Sequence, residues 1–201
     1  MKVILSGYEG SKKILAASSW LVNKYLPNFD IYWLNYGEYS GKLFCGTYVS
    51  LKNKQESVNN WSNDIREFLK TIDDKFVIFS LDDYLLSSPI NMELYNPIVL
   101  DKQIEINLCS ASKKENLDYS VTTQYTIWDR ERLIEILEKV NTPWEFEVVG
   151  SKYFNSMGFE ADYVPAMTYP DYSSLSTKWI GIKTSDNNKE DINWLKENNY
   201  L

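Results

Sequence analysis

A mixed α/β fold built on a mostly parallel, doubly wound sheet is predicted from the order of elements along residues 2–81. "KVILSG" and "FVIFSL" are short apolar runs bounded by turn residues, as in strands buried on both faces. "SKKILAASSWLVNKY" and "SVNNWSNDIREFLKTI" repeat their apolar residues at helical spacing. Strand, helix and strand recur in sequence, and that order implies parallel pairing with helices on both faces, a Rossmann-like arrangement.

Taken in order, "KVILSG" is a first strand closed by Gly7. The following helix places Ile14, Ser18, Leu21, Val22 and Tyr25 on one face, and Pro27 stops it. "DIYWLNYG" is a second strand ended by Gly37, and "KLFCGTYVS" is a short strand or edge segment. Trp61, Ile65, Phe68, Leu69 and Ile72 share a face of the next helix, with Ser62 or Asn63 as its cap or Trp61 in its first turn. "FVIFSL" follows. Beyond it, "SPINMELYNPIVLDK" reads as a helix broken by Pro97, and "QIEINLC" and "SVTTQYTIW" as two strands. Asp129 caps a helix carrying Leu133, Ile136, Leu137 and Val140. "NTPWEFEVVGS" opens a short helix, residues 152–181 read as loops and short strands, and "NNKEDINWLKENN" closes the chain as a helix. With no linker or repeat, one domain over residues 1–201 is expected.

Composition narrows the chemistry. A hydrophobic content of 44% is that of a globular chain. The net charge of −7, with Lys and Arg scattered, excludes a basic stripe for tracking nucleic-acid phosphates, so no nucleic-acid partner is expected. There is no histidine, which removes a Ser-His-Asp triad and a His-rich zinc site. Any metal must be held mainly by oxygen, which favours Mg, Mn or Ca. Cys45 and Cys109 lack metal or redox spacing and read as buried small residues. The 15 Tyr and 7 Trp fit either an aromatic core or a surface for flat ligands. No apolar run approaches the ~20 residues that span a bilayer, and the N-terminal segment reads as a strand rather than a signal peptide. A soluble, cytoplasmic protein without a transmembrane segment is expected.

Two stretches carry candidate chemistry. In "FSLDDYLLS" a buried strand runs into Asp82 and Asp83. In an open parallel sheet, ligands bind beyond the carboxyl ends of strands. The pair can therefore hold a divalent cation and a sugar or ribose hydroxyl, or it can simply cap and solvate a turn. An Asp-nucleophile phosphatase is set aside, since such enzymes carry the Asp after the first strand, where this chain has Ser6-Gly7-Tyr8. In "TPWEFE", Thr142 as N-cap, Pro143 in the first turn and Glu145 reaching back form a capping box. Glu147 points elsewhere around the helix, and near a helix N-terminus it stays ionised. It is either a general base toward a hydroxyl or a solvated carboxylate.

With these segments, the chain resembles nucleotide-sugar-dependent glycosyltransferases of the A-type fold, in particular a bacterial and viral group. The resemblance lies in "WSNDIREFLKTIDDKFVIFSLDDYLL", "VTTQYTIWDRERLIEIL" and "TPWEFEVVGS". It implies a nucleotide-sugar-binding half over residues 1–100 and an acceptor-side half over 101–201. It also implies a hexosyl or deoxyhexosyl transfer to a glycan or other hydroxyl acceptor. Asp83 and Asp82 would stand in place of the family's Asp-x-Asp motif and hold Mn2+ or Mg2+, although Ser80 occupies the place of a first acid. Glu147, or Glu145, would be the catalytic carboxylate. Ser6, Gly7 and Tyr8 would contact the nucleotide, with Asp82 and Arg66 also on the donor. Trp61 would pack in the core or line the donor pocket, and Trp128 and Trp144 would flank the acceptor. A non-catalytic sugar- or partner-binding module and a nucleotidyltransferase are the alternatives, the latter because "SGYEGSKK" carries two glycines and two lysines after the first strand.

Overall fold

The computed structural model describes residues 1–52, 58–86, 89, 105–107, 121–156, 162–163 and 189–201. Seven strands form one mixed sheet: β1 (Lys2–Ser6), β2 (Asp30–Asn35), β3 (Thr47–Ser50), β4 (Phe76–Leu81), β5 (Glu105–Asn107), β6 (Thr126–Asp129) and β7 (Asp162–Tyr163). Their order is β3-β2-β1-β4-β6-β5-β7. The first four are mutually parallel, while β6 runs antiparallel to both β4 and β5. Among the described residues, five α-helices accompany them: α1 (Leu15–Tyr25), α2 (Trp61–Leu69), α3 (Arg130–Leu137), α4 (Pro143–Ser156) and α5 (Lys189–Glu197).

The alternation of side chains along β1 explains the layering. Val3 and Leu5 pack with Leu21, Val22 and Leu195 from α1 and α5. Ile4 faces the other way, into a core with Ile65, Leu69, Leu133 and Phe146 from α2, α3 and α4. The expected doubly wound sheet with helices on both faces is thus present. From β1 the chain steps outward to β2 and β3, then returns across β1 to β4. The strand order therefore reverses between β1 and β4, and a crevice opens at the carboxyl ends of such a pair.

Several elements differ in detail from expectation. A 3-10 turn, Glu9–Ile14, precedes α1. α2 starts at Trp61 after Asn60, which makes no side-chain cap bond. The Ser62 hydroxyl donates instead to the Val140 carbonyl (2.5 Å), tying α2 to the segment before α4. α4 is a full 14-residue helix rather than a short one. Of the described residues of the segment "SVTTQYTIW", only Thr126, Ile127 and Trp128 lie in a strand, β6, which ends one residue later at Asp129. Thr122 and Thr123 favour a strand by their branching, but their polar groups bond to α4 instead. Asp129 does cap α3, accepting from the amides of Glu131 (3.1 Å) and Arg132 (3.2 Å). Pro97 and Cys109 lie outside the described residues, as do most of residues 157–188.

Candidate functional site

The crevice between β1 and β4 collects most of the residues singled out above. Ser6 ends β1, Gly7 and Tyr8 follow it, and Asp82 and Asp83 follow β4. The Asp82 amide donates to the Ser6 carbonyl (2.9 Å), so the two strand ends are laced together. Ser6 is fully buried, and its hydroxyl accepts from the Trp61 indole (2.9 Å). Gly7 has no room for a side chain. A Cβ there would stand 1.9 Å from Asp82 Oδ2 and 2.6 Å from Asn35 Nδ2. Tyr8 is half-exposed at the mouth.

The two aspartates play different parts. Asp82 is 1% exposed. Its Oδ2 accepts from the Ser11 hydroxyl (2.7 Å) and from Asn35 Nδ2 (3.3 Å), and its backbone carbonyl accepts from Ser18 (2.9 Å). Its Oδ1 is buried and takes no hydrogen bond among the described residues. Burial, followed by the neighbouring Asp83 charge, raises its pKa well above the usual carboxylate range, against the hydrogen bonds from Ser11 and Asn35. Asp83 is half-buried, and burial pushes it up to about 6. The Tyr8 phenol is raised by burial and then by Asp83 and Asp82. Across the mouth, Tyr48 is pushed up to about 12, chiefly by burial with Asp82 adding to it. Among the described residues no three His, Cys, Asp or Glu side chains gather as a metal-binding group.

Glu147 reaches this crevice through one intermediary. Its Oε1 accepts from the Thr123 amide (3.1 Å) and hydroxyl (2.9 Å), and the Thr123 carbonyl accepts from the Leu81 amide (3.0 Å). Tyr84 closes the link, its hydroxyl lying 3.1 Å from Thr123 Oγ1. One residue thus joins the first turns of α4 to the end of β4, beside the aspartates. Glu145 points away from this link. Its Oε2 accepts from the Asn141 amide (2.7 Å) and side chain (3.1 Å), while its own amide donates to Thr142 Oγ1 (3.1 Å). That is a capping box shifted by one residue. Arg66 is not drawn in either: its guanidinium donates to Asn63 on the same helix (2.8 Å).

The tryptophans divide by exposure. Trp61 is in the core against Phe79 and Phe146. Trp128 is fully buried against Phe146 and Phe154, so it has no face to offer a sugar ring, contrary to the expectation for the acceptor side. Trp144 is 70% exposed at the start of α4. Ser11, Asn35 and Thr123, the residues that organise the site, are the ones sequence reasoning missed. Their only signal is polarity where burial is expected: Asn35 ends an apolar strand, and Ser11 follows the loop glycine Gly10.

No protein-family model matches this chain, and no curated protein matches it in sequence. Solved structures do match in fold. A CMP:2-keto-3-deoxy-manno-octonic acid synthetase complexed with CTP superposes with a TM-score of 0.59 at 12% identity, covering 98% of this chain and 100% of that one. A cytidylyltransferase from Leptospira borgpetersenii serovar Hardjo-bovis gives 0.51 at 13% identity, covering 98% and 94%. The mannosyltransferase PcManGT from Pyrobaculum calidifontis, in complex with GDP-Man and Mn2+, gives 0.52 at 11% identity, covering 82% of this chain and 55% of that one. The chain therefore spans about half the length of that mannosyltransferase. At these identities the likeness is one of fold alone: this chain shares its architecture with a synthetase, a cytidylyltransferase and a mannosyltransferase.

Proposed function

We propose that the protein transfers a sugar from a nucleotide-sugar to an acceptor hydroxyl. One observation carries this reading: Thr123 links Glu147 to the end of β4, beside Asp82 and Asp83. A candidate base and a candidate leaving-group site are then neighbours at the strand-order reversal. Tyr8 offers a ring for the nucleoside base. Glu147, whose Oε1 is fixed by Thr123, takes the acceptor proton as the hydroxyl attacks the anomeric carbon with inversion. Trp144, one helical turn before Glu147, lies on the acceptor side.

The donors present fit a hard divalent cation. Asp83 carries a carboxyl that burial holds up to about 6, and Asp82 has one oxygen without a hydrogen bond among the described residues. These two would hold Mn2+ or Mg2+ together with diphosphate oxygens. When bound, such an ion neutralises the charge developing on a departing diphosphate. The pairing of Asp83 with Glu147 is tested by assaying a panel of nucleotide-sugars with Mn2+ for donor hydrolysis and transfer, using the parent protein, Asp83→Asn and Glu147→Gln. Each substitution is expected to lower the rate by about 100-fold or more. Unchanged rates in both would sink the assignment.

Nucleotidyl transfer is a second reading, favoured by the loop after β1. Lys12 and Lys13 sit in it, and the Lys12 ammonium reaches the Glu38 carbonyl (3.1 Å) on the neighbouring strand's exit. Pyrophosphate released from a nucleoside triphosphate, with no transfer from nucleotide-sugars, would select this reading.

A further inference from the structure

Three strand ends converge on one hydroxyl. Ser11 Oγ accepts from the Tyr8 amide (3.1 Å) and from Asn35 Nδ2 (3.1 Å). Its single proton lies within reach of both Asp82 Oδ2 (2.7 Å) and the Tyr8 carbonyl (2.8 Å). The Tyr8 carbonyl also accepts from the Ser11 amide (2.9 Å), and Asp82 Oδ2 is the nearer acceptor for the hydroxyl proton. Every donor and acceptor site of the hydroxyl is then used. Asn35 is spent in the same way: its Oδ1 accepts from the Tyr36 amide (2.8 Å), and its Nδ2 also reaches Asp82. Ser11, Asn35 and Asp82 are each at most 1% exposed. A hydroxyl this buried and this fully bonded cannot touch a ligand, but it sets the shape of the turn that does.

We infer that Ser11, held by Asn35 and Asp82, is a positioning residue for the nucleotide: it fixes the turn from Gly7 to Gly10, and with it Tyr8, over the carboxyl ends of β1, β2 and β4. The inference rests on the reading that a nucleotide occupies this crevice. It assigns Asp82 Oδ2 to the loop, which leaves Oδ1 as the oxygen of that residue open to other partners. Preorganising the turn spares the ordering cost that binding would otherwise carry. Every donor of Ser11 and Asn35 is engaged, so loss of either side chain loosens the turn as a whole.

Ser18 supplies the control. Its buried hydroxyl also bonds Asp82, at the backbone carbonyl, but from α1 rather than from the turn. Ser11→Ala loses three buried hydrogen bonds and Ser18→Ala one, so the larger fall in melting temperature is expected of Ser11→Ala. Calorimetric titration with UDP, GDP and CDP in EDTA then separates them. Ser11→Ala is expected to weaken the nucleotide that the parent binds by about tenfold, against about twofold or less for Ser18→Ala. Hydrogen exchange of the Tyr8 amide is expected to quicken in Ser11→Ala alone. Should Ser11→Ala fail to fold, Ser11→Cys keeps the volume with a poorer hydrogen-bonding group and takes its place. Equal weakening by the two serine variants, or full affinity in Ser11→Ala, overturns the inference alone. A parent protein that binds none of the three nucleotides, either in EDTA or with Mn2+ present, overturns it together with the functional reading.

Discussion

The neighbouring strands β1 and β4 carry acids at both of their ends, and the two ends treat them in opposite ways. At the amino end, Asp74 meets the Lys2 ammonium at 2.6 Å, and that hydrogen bond holds its pKa below the ordinary value. At the carboxyl end, burial raises both Asp82 and Asp83. Residue type is the same and the strands are the same. What differs is the partner: a lysine at one end, and at the other neutral hydroxyl and amide groups around Asp82. An end that carries its own counter-charge is a structural end. The end that gathers acids among neutral donors, within the described residues, is the one proposed to take a ligand, and this contrast is the physical content of the proposed site.

The largest effect expected from breaking this contrast comes from Gly7→Ala. A Cβ at 1.9 Å from Asp82 Oδ2 and 2.5 Å from its Cγ forces the buried acid or the turn to move. A loss of about 3 kcal/mol is expected in urea denaturation, since the clash is with a fully enclosed group. Next comes the pH response of the protein without metal. Asp83 has a folded pKa of about 6 against an ordinary 3.8, so its protonated form is favoured in the folded state. Its contribution is most favourable below about pH 3.8 and is lost as the pH rises through about 6, on the order of 2 kcal/mol across that window. Asp83→Asn is expected to flatten that part of a stability–pH curve measured in EDTA.

Thr123→Val follows. It removes the hydroxyl between Glu147 and Tyr84 but keeps the backbone amide bond, so about 1 kcal/mol of stability is expected to go, with a larger fall in transfer rate as Glu147 loosens. The smallest effect belongs to the amino end. Asp74→Asn is expected to cost about 0.5–1 kcal/mol at neutral pH, as for a partly exposed ion pair. The sign there is reversed: a lowered folded pKa means the contribution is present above pH 3.8 and lost as the pH falls through the folded value. Melting curves that showed the same pH trend for both ends would erase the distinction between them.

How far the sequence carried depended on whether a signal was local. The strands β1, β2 and β4 and the helices α1, α2 and α3 stand where apolar runs and helical period place them, because burial on both faces writes a continuous apolar run into a strand and burial on one face writes itself into every third and fourth residue of a helix. Asp129 is legible as a cap because its partners are two and three residues away. Asp82 and Asp83 are legible as a pair at a strand end, but their separate roles are not. Ser11 reads as an ordinary loop serine until Asn35 and Asp82, far away in the chain, are brought to it. Residues 121–125 look like part of a strand because branching favours one, yet Glu147 takes the bonds of Thr123.

By itself, then, the sequence determined the order of the described elements and the parallel half of the sheet, since these follow from apolar runs, helical period and chain connectivity, and it singled out the end of β4 as a candidate site. Only the tertiary structure decided which way each carboxylate faces. Direction depends on which donors other segments bring: Ser11 and Asn35 turn Asp82 inward, Thr123 draws Glu147 to the crevice, and Asn141 holds Glu145 away from it. Hydrogen bonds formed across long separations leave no period in the chain, and so the role of each acid is set by packing rather than by spacing.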